Sequence, residues 1–398
     1  MGWDRVTVRG HPPPLFGNLP QRRSAAGGGN GQLASALMPE TPVYYGDYLQ
    51  LERLLSAQKL ESESQGHAVH DEMLFIVVHQ TYELWFKQIL WELDEVRRIF
   101  GLGTVDEADM GNAVSLLRRV VEIQKLLVQQ VSVLETMTPL DFLDFRDHLF
   151  PASGFQSAQF RLVENKLGLR VEDRLKLGGS PYTSRFNPDD RDLVTQSEVE
   201  PSLFDLVEGW LERTPFLDFE GFSFRAAFQD AVKRRLEADR AIVESNPRLS
   251  DVEKEAQLKD FEVTIEQYEA VFDPVKHAEQ QAAGRLRMSH RAFQAALFIT
   301  LYRDQPALQE PFRLLEHLMD IDEGFTVWRY RHAQMVLRMI GRRIGTGGSA
   351  GAKYLERSAE RSRVFGDLYN LSTFLIPRAD RPPLPDGIIE SMRFKYEG

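Results

Sequence analysis

At 398 residues, 42% hydrophobic and 27% charged, the chain has the composition of an ordinary globular protein with length enough for a large core. A net charge of −11 argues against a basic nucleic-acid-binding surface, and no apolar run approaches the ~20 residues that span a bilayer. The absence of cysteine excludes disulfides, iron–sulfur clusters, thiolate-held haem and cysteine zinc sites, so any metal or haem falls to carboxylates or to the nine histidines.

Residues 1–38 carry a proline run at 12–14 and a glycine run at 27–29, with few apolar side chains, and are expected to form a disordered N-terminal tail. They lack the apolar segment of a signal peptide, and Val6 stands where N-myristoylation wants Ser or Thr, so a cytoplasmic location is expected. Order is expected from Tyr44 onward, where Tyr45 and Tyr48 flank Gly46 and can either pack or wall a pocket.

Asp71 and Glu72 suit the first turn of a long helix, along which Phe75, His79, Tyr82, Phe86, Ile89, Leu93 and Val96 repeat at helical spacing. Gly101 closes it. A second long helix is expected from about Asp109 to Glu135. Thr138-Pro139-Leu140-Asp141 then reads as N-cap, first-turn proline and capping-box acid. The helix it starts carries Phe142, Phe145, Arg146 and Leu149 on one face. A guanidinium on an aromatic stripe needs an anion, either an internal carboxylate such as Asp141 or the carboxylate of a ligand. After a turn at Pro151–Gly154, a helix is expected from Phe155 to Leu167, then an extended polar loop over 169–200.

From Leu203 to Phe272 the periodicity stays helical but the composition turns more charged, suggesting a solvated helical excursion broken at Pro247. Further helices are expected at about 290–303 and 308–320, followed by the stretch Phe325, Trp328, His332, Met335, Val336 and Met339, again at helical spacing. It should stop near Gly341, ahead of the glycine loop Gly345-Thr346-Gly347-Gly348-Ser349-Ala350-Gly351, which would let backbone approach a ligand closely. The loop is not a P-loop, since no Lys-Ser/Thr ends it. Proline punctuates 377–385. No strand is expected, so the fold class is all-α: a helical domain over 39–378, with a helical insert at about 200–272 and a proline-rich C-terminal tail at 379–398.

Three features therefore stand out: His332 with its glycine loop, His79 with Phe75, and Arg146 with Phe142. A histidine on an apolar helix face is more often a hydrogen-bonded core residue than a ligand, so none of the three decides a function alone. The surrounding motifs go further. His70-Asp71-Glu72-Met73-Leu74-Phe75, His79-Gln80-Thr81-Tyr82-Glu83-Leu84-Trp85-Phe86-Lys87, Phe145-Arg146-Asp147, Ser153-Gly154-Phe155-Gln156-Ser157, Trp328-Arg329-Tyr330-Arg331-His332 and Gly345-Thr346-Gly347-Gly348-Ser349 together resemble the tryptophan 2,3-dioxygenase family, in order, from about Tyr44 to Pro377. Met73, where many animal members carry histidine, and Val77-Val78 before His79 depart from the common pattern.

The resemblance implies a helical homotetramer, a dimer of dimers, holding ferrous haem b. It would insert both atoms of O2 across the indole C2–C3 bond of L-tryptophan to give N-formylkynurenine, the first step of tryptophan catabolism by the kynurenine route. It casts His332 as the proximal ligand of the haem iron, with Ser153 and Gly154 near the haem edge. His79 would be the distal base facing the indole N–H, Phe75 and Phe142 the indole walls, Arg146 the partner of the substrate carboxylate and Thr346 a contact for the amino-acid end. Tyr45 and Tyr48 would complete a neighbouring subunit's pocket. Two enzymatic rivals remain: a haem-dependent relative adding one oxygen to give an oxindole, and a non-haem iron site built on His70-x-Glu72. A helical scaffold whose special residues are structural is the third.

Overall fold

Helices make up most of the described chain. The computed structural model describes residues 42–174, 181–341, 343, 355, 357, 358 and 361–393; the expected tail over 1–38 and the glycine loop with Thr346 lie outside the described residues. The chain divides into two units, 1–57 and 58–398. The first contributes short helices α1 (Tyr45–Leu49) and α2 (Leu51–Leu55), joined at Gln50, whose φ of 52° is left-handed. Tyr45 and Tyr48 are 75% and 76% exposed on α1.

In the second unit, α3 (Glu61–Ser64) leads into α4 (His70–Phe100) and α5 (Glu107–Leu134). The acids Asp71 and Glu72 open α4, and Asp106 caps α5 by accepting from the Asp109 N–H. The short α6 (Pro139–Arg146) begins with the expected capping box of Thr138 and Asp141. Then α7 (Ala158–Leu167) is capped by Ser157, α8 spans Pro188–Ser197 and α9 spans Leu203–Glu212. A two-residue hairpin, β1 (Asp218–Phe219) and β2 (Phe222–Ser223), turns through Glu220 and Gly221, both at positive φ. Further helices are α10 (Phe224–Ser245), α11 (Asp251–Phe272), α12 (Pro274–Ala282), α13 (His290–Leu301), α14 (Gln309–Ile340), α15 (Gly366–Asn370) and α16 (Asp386–Ser391). None of the described helices is long and apolar enough to cross a membrane.

The architecture is all-α, with α5 packed between α4 and α14 and α7 laid on α4. Ile89, Leu93 and Val96 of α4, Leu117, Val120 and Leu127 of α5, and Leu314, Leu318 and Ile321 of α14 are fully buried between them. Each such side chain contributes about 1.5–3 kcal/mol on burial, so the three-helix seam is a substantial part of the core.

Three sequence-based expectations are corrected. The hairpin is the one pair of strands among the described residues, against an expectation of none. Residues 169–200 are not wholly loop: Asn187 caps and Pro188 begins α8, which buries Val194. The segments 308–320 and 325–340 are one helix, α14, of 32 residues. Past 378, the described residues of the proline-rich stretch make contacts with the helical core. Leu384, Ile388 and Met392 are buried, the Tyr302 hydroxyl donates to the Pro382 carbonyl at 2.7 Å, and the Ala307 N–H donates to the Met392 carbonyl at 3.3 Å.

Gly168 ends α7 with φ of 116°, and a Cβ there would stand 2.7 Å from Ser202 Oγ and 2.9 Å from Phe204 Cβ. Left-handed backbone and forced overlap add, so Gly168→Ala should cost about 2 kcal/mol or more, read as a lowered denaturant midpoint at unchanged m-value.

Candidate functional site

One cavity of about 280 Å³ gathers most of the residues singled out in the sequence: Phe75, His79, Phe142, Arg146, Ser153, Gly154 and His332 all line it. α4 supplies Phe75 and His79 one turn apart, α6 supplies Phe142 and Arg146 one turn apart, and α14 supplies His332. The ends of α5 and α14 close the apolar side with Val131, Leu134, Met335 and Met339, all buried.

The aromatic wall is built from the same spacing. Phe75 stacks on Phe142 at 5.6 Å, and Phe145, fully buried, meets both edge-on at 5.6 and 5.4 Å. The His79 ring lies 4.1 Å from the Phe75 ring, and its Nδ1 is 2.7 Å from the Phe75 carbonyl one turn back. A carbonyl accepts only, so Nδ1 carries the proton and a neutral His79 keeps a lone pair on Nε2. Burial pushes the His79 pKa down, against the opposing pull of that carbonyl and of Glu83. The neutral form is therefore favoured.

His332 is pushed down to about 4, first by burial and then by His79, so it too is neutral near pH 7. Its ring stacks on Trp328 at 5.3 Å and 5°, with no hydrogen bond to either nitrogen among the described residues. An unprotonated imidazole facing an aromatic-lined cavity is the donor set a haem iron wants in a chain without cysteine. Gly154 adds room, since a Cβ there would meet nothing within 4 Å.

Asp141 serves the cap of α6, its Oδ2 accepting the Thr138 N–H at 2.8 Å. Ser153 is likewise tied locally, its N–H donating to Gln156 Oε1 at 3.0 Å. On α14 itself, Asp322 accepts the N–H groups of Val364 (3.0 Å) and Phe365 (2.6 Å), anchoring that later segment to the helix. Burial nonetheless pushes Asp322 up to about 6.

A charged cluster that no sequence motif announces lies on the same cavity. Glu164 of α7 is buried and accepts from Arg161 (2.8 Å), Arg174 (2.8 Å) and Arg329 (2.7 Å). Arg329 lies three residues before His332, so this carboxylate ties α7 to the part of α14 that carries the imidazole. The Arg161–Glu164 spacing was a visible hint; the two distant partners were not.

The non-haem iron alternative finds no support. Both oxygens of Glu72 are engaged, accepting from Glu61 N (2.8 Å), Ser62 N (3.1 Å) and the Ser62 hydroxyl, while His70 is exposed. No group of three His, Cys, Asp or Glu residues among those described could hold a metal ion.

A family model described as tryptophan 2,3-dioxygenase matches residues 31–375. The chain belongs to the tryptophan 2,3-dioxygenase family. A tryptophan 2,3-dioxygenase of Bdellovibrio bacteriovorus is 52% identical over 359 residues, 90% of this chain and 100% of that relative. Those of Xenopus tropicalis (50% identical, 86% of this chain and 85% of the relative) and Mus musculus (50% identical, 84% and 82%) are similarly close. Membership makes the chain an enzyme of the oxidoreductase class, and the shared name across bacteria and vertebrates supports the dioxygenase reading over the oxindole-forming one.

Proposed function

We propose that this cavity binds haem and L-tryptophan together, and that the protein inserts both atoms of O2 across the indole C2–C3 bond to give N-formylkynurenine. The observation that carries the proposal is the placement of two imidazoles, His332 and His79, on one aromatic-walled cavity that also takes in a guanidinium, Arg146. His332 would hold the iron of haem b, with Ser153 and Gly154 along the cofactor's edge. Bound there, ferrous haem supplies the site at which O2 is taken up and activated.

The chain's own groups then position the amino acid. Phe75 and Phe142 present ring faces to the flat indole and keep water from it. The free Nε2 of His79 is a hydrogen-bond acceptor, suited to the indole N–H; it fixes which edge of the ring faces the oxygen. Arg146 meets the substrate carboxylate, and Thr346 is assigned to the ammonium end. In a homotetramer, a dimer of dimers, the exposed Tyr45 and Tyr48 would complete a neighbouring subunit's pocket.

A charge-assisted hydrogen bond is worth about 1.5–3 kcal/mol. Arg146→Ala should therefore raise the KM for L-tryptophan about ten- to a hundred-fold, while the amide of tryptophan, which lacks the carboxylate, should lose that sensitivity to the substitution. The proposal as a whole is tested by reducing the haem-loaded protein and following tryptophan and O2 together. It requires one O2 consumed per tryptophan, and uptake without tryptophan loss would refute it.

A further inference from the structure

His332 is held differently from the other histidines of the packed interior. The Nδ1 of His79 meets the Phe75 carbonyl at 2.7 Å, the two nitrogens of His277 meet the Ala270 and Met288 carbonyls at 3.1 and 2.8 Å, and His290 Nε2 meets the Val271 carbonyl at 2.7 Å. His332 has no such partner among the described residues; what lies against it is the indole face of Trp328, 5.3 Å away and within 5° of parallel.

The imidazole plane is governed by a broad, roughly two-fold torsion, so something besides the backbone has to select it. For a metal-binding histidine that is ordinarily a hydrogen bond from the second ring nitrogen to a carboxylate or carbonyl. Here the stacking ring is itself fixed on its other sides. Phe160 lies 5.1 Å from Trp328, Tyr82 meets it edge-on at 5.9 Å, and Phe86 meets it edge-on at 6.3 Å. The Tyr82 hydroxyl is anchored in turn on the Leu127 carbonyl at 2.8 Å. The Trp328 indole N–H is buried on the side of the ring that meets Tyr82, so the face turned to His332 carries no polar group.

We propose that Trp328 is a positioning residue for the iron ligand: braced by Phe160, Tyr82 and Phe86, its indole face sets the plane of the His332 imidazole by stacking, in the role a hydrogen bond usually fills. This rests on His332 being the haem ligand, as proposed above. It makes the aromatic face, and not the indole nitrogen, the property that matters at 328.

The test compares Trp328→Met, Trp328→Leu and Trp328→Phe with Phe298→Leu, which truncates a fully buried ring that stacks on neither Trp328 nor His332. In the ferrous haem-loaded proteins, the iron–imidazole stretching band is recorded by resonance Raman, and haem loss to an apoglobin scavenger is timed. Trp328→Met and Trp328→Leu should shift or broaden the band and speed haem loss about ten-fold or more, the range seen when the support of a metal ligand is removed. Trp328→Phe keeps a ring face against His332, so it should return the band to the wild-type position. Phe298→Leu should lower the melting temperature and leave the band where it was. An unmoved band in either non-aromatic variant overturns the proposal, as does an equal shift in Phe298→Leu. If the wild-type protein shows no iron–imidazole band that His332→Ala removes, the ligand assignment itself has failed.

Discussion

Removing the imidazole at 332 is expected to leave a folded protein that does not keep its haem. His332 lines the cavity and makes no hydrogen bond among the described residues, so His332→Ala gives up one ring stack, worth about 0.5–1.5 kcal/mol, and strands no buried partner. The melting temperature of the apoprotein should therefore move by a few degrees at most. Haem content after purification should fall to background, and with it the activity, while added imidazole should restore part of the absorption band. His79→Ala is the contrasting case: it removes the proposed acceptor for the indole N–H and not an iron ligand, so it should slow turnover with haem content unchanged. Full haem content and activity in His332→Ala would remove the proximal assignment.

The second large effect lies in stability. Burial pushes the Glu164 carboxyl up, but Arg161, Arg174 and Arg329 together outweigh it and hold the group at about 2. The folded pKa lies below the ordinary 4.5, so the cluster contributes stability that is fully present above about pH 4.5 and lost as the pH falls towards 2. At 1.36 kcal/mol per unit this amounts to about 3 kcal/mol at neutral pH. Glu164→Gln keeps the shape and removes the charge, leaving the buried guanidiniums of Arg174 and Arg329 without their carboxylate. Breaking a buried pair in this way costs about 3–5 kcal/mol, a large part of the 5–15 kcal/mol that holds a typical domain folded. Chemical denaturation at pH 7 reads the loss directly, and the same experiment at pH 3 should show the gap between variant and wild type narrowing. An equal gap at both pH values would mean the cluster acts through packing and not through charge. Because Arg329 precedes His332 by one turn of α14, the substitution should also loosen haem retention.

What the sequence made visible follows from how local each signal is. The apolar repeat from Phe75 to Val96 and the Thr138–Asp141 capping box are written in consecutive residues, and α4 and α6 appear where those residues put them. His79, Arg146 and His332 could be picked out because each interrupts an apolar stripe, and the folded chain does bring all three to one cavity. Their convergence depends on the packing of α4, α5 and α14, which no single stretch encodes. Helix α8 was missed although Asn187-Pro188-Asp189-Asp190 carries a cap, a first-turn proline and two acids, because only Val194 and Ser197 of that helix are buried and its apolar period is faint. The hairpin at 218–223 is too short for alternation to register. The inward packing of Leu384, Ile388 and Met392 behind a proline run, and the meeting of Arg174 and Arg329 on Glu164, are contacts between distant parts of the chain. Only the fold reveals them.

The central claim is that both atoms of one O2 molecule enter one tryptophan. Haem-loaded, reduced protein supplied with L-tryptophan under a mixture of light and heavy O2 tests it by the mass of the promptly quenched product. The account predicts N-formylkynurenine carrying two light or two heavy oxygens, with almost none carrying one of each. A product with a single added oxygen, or with labels scrambled between molecules, would contradict it.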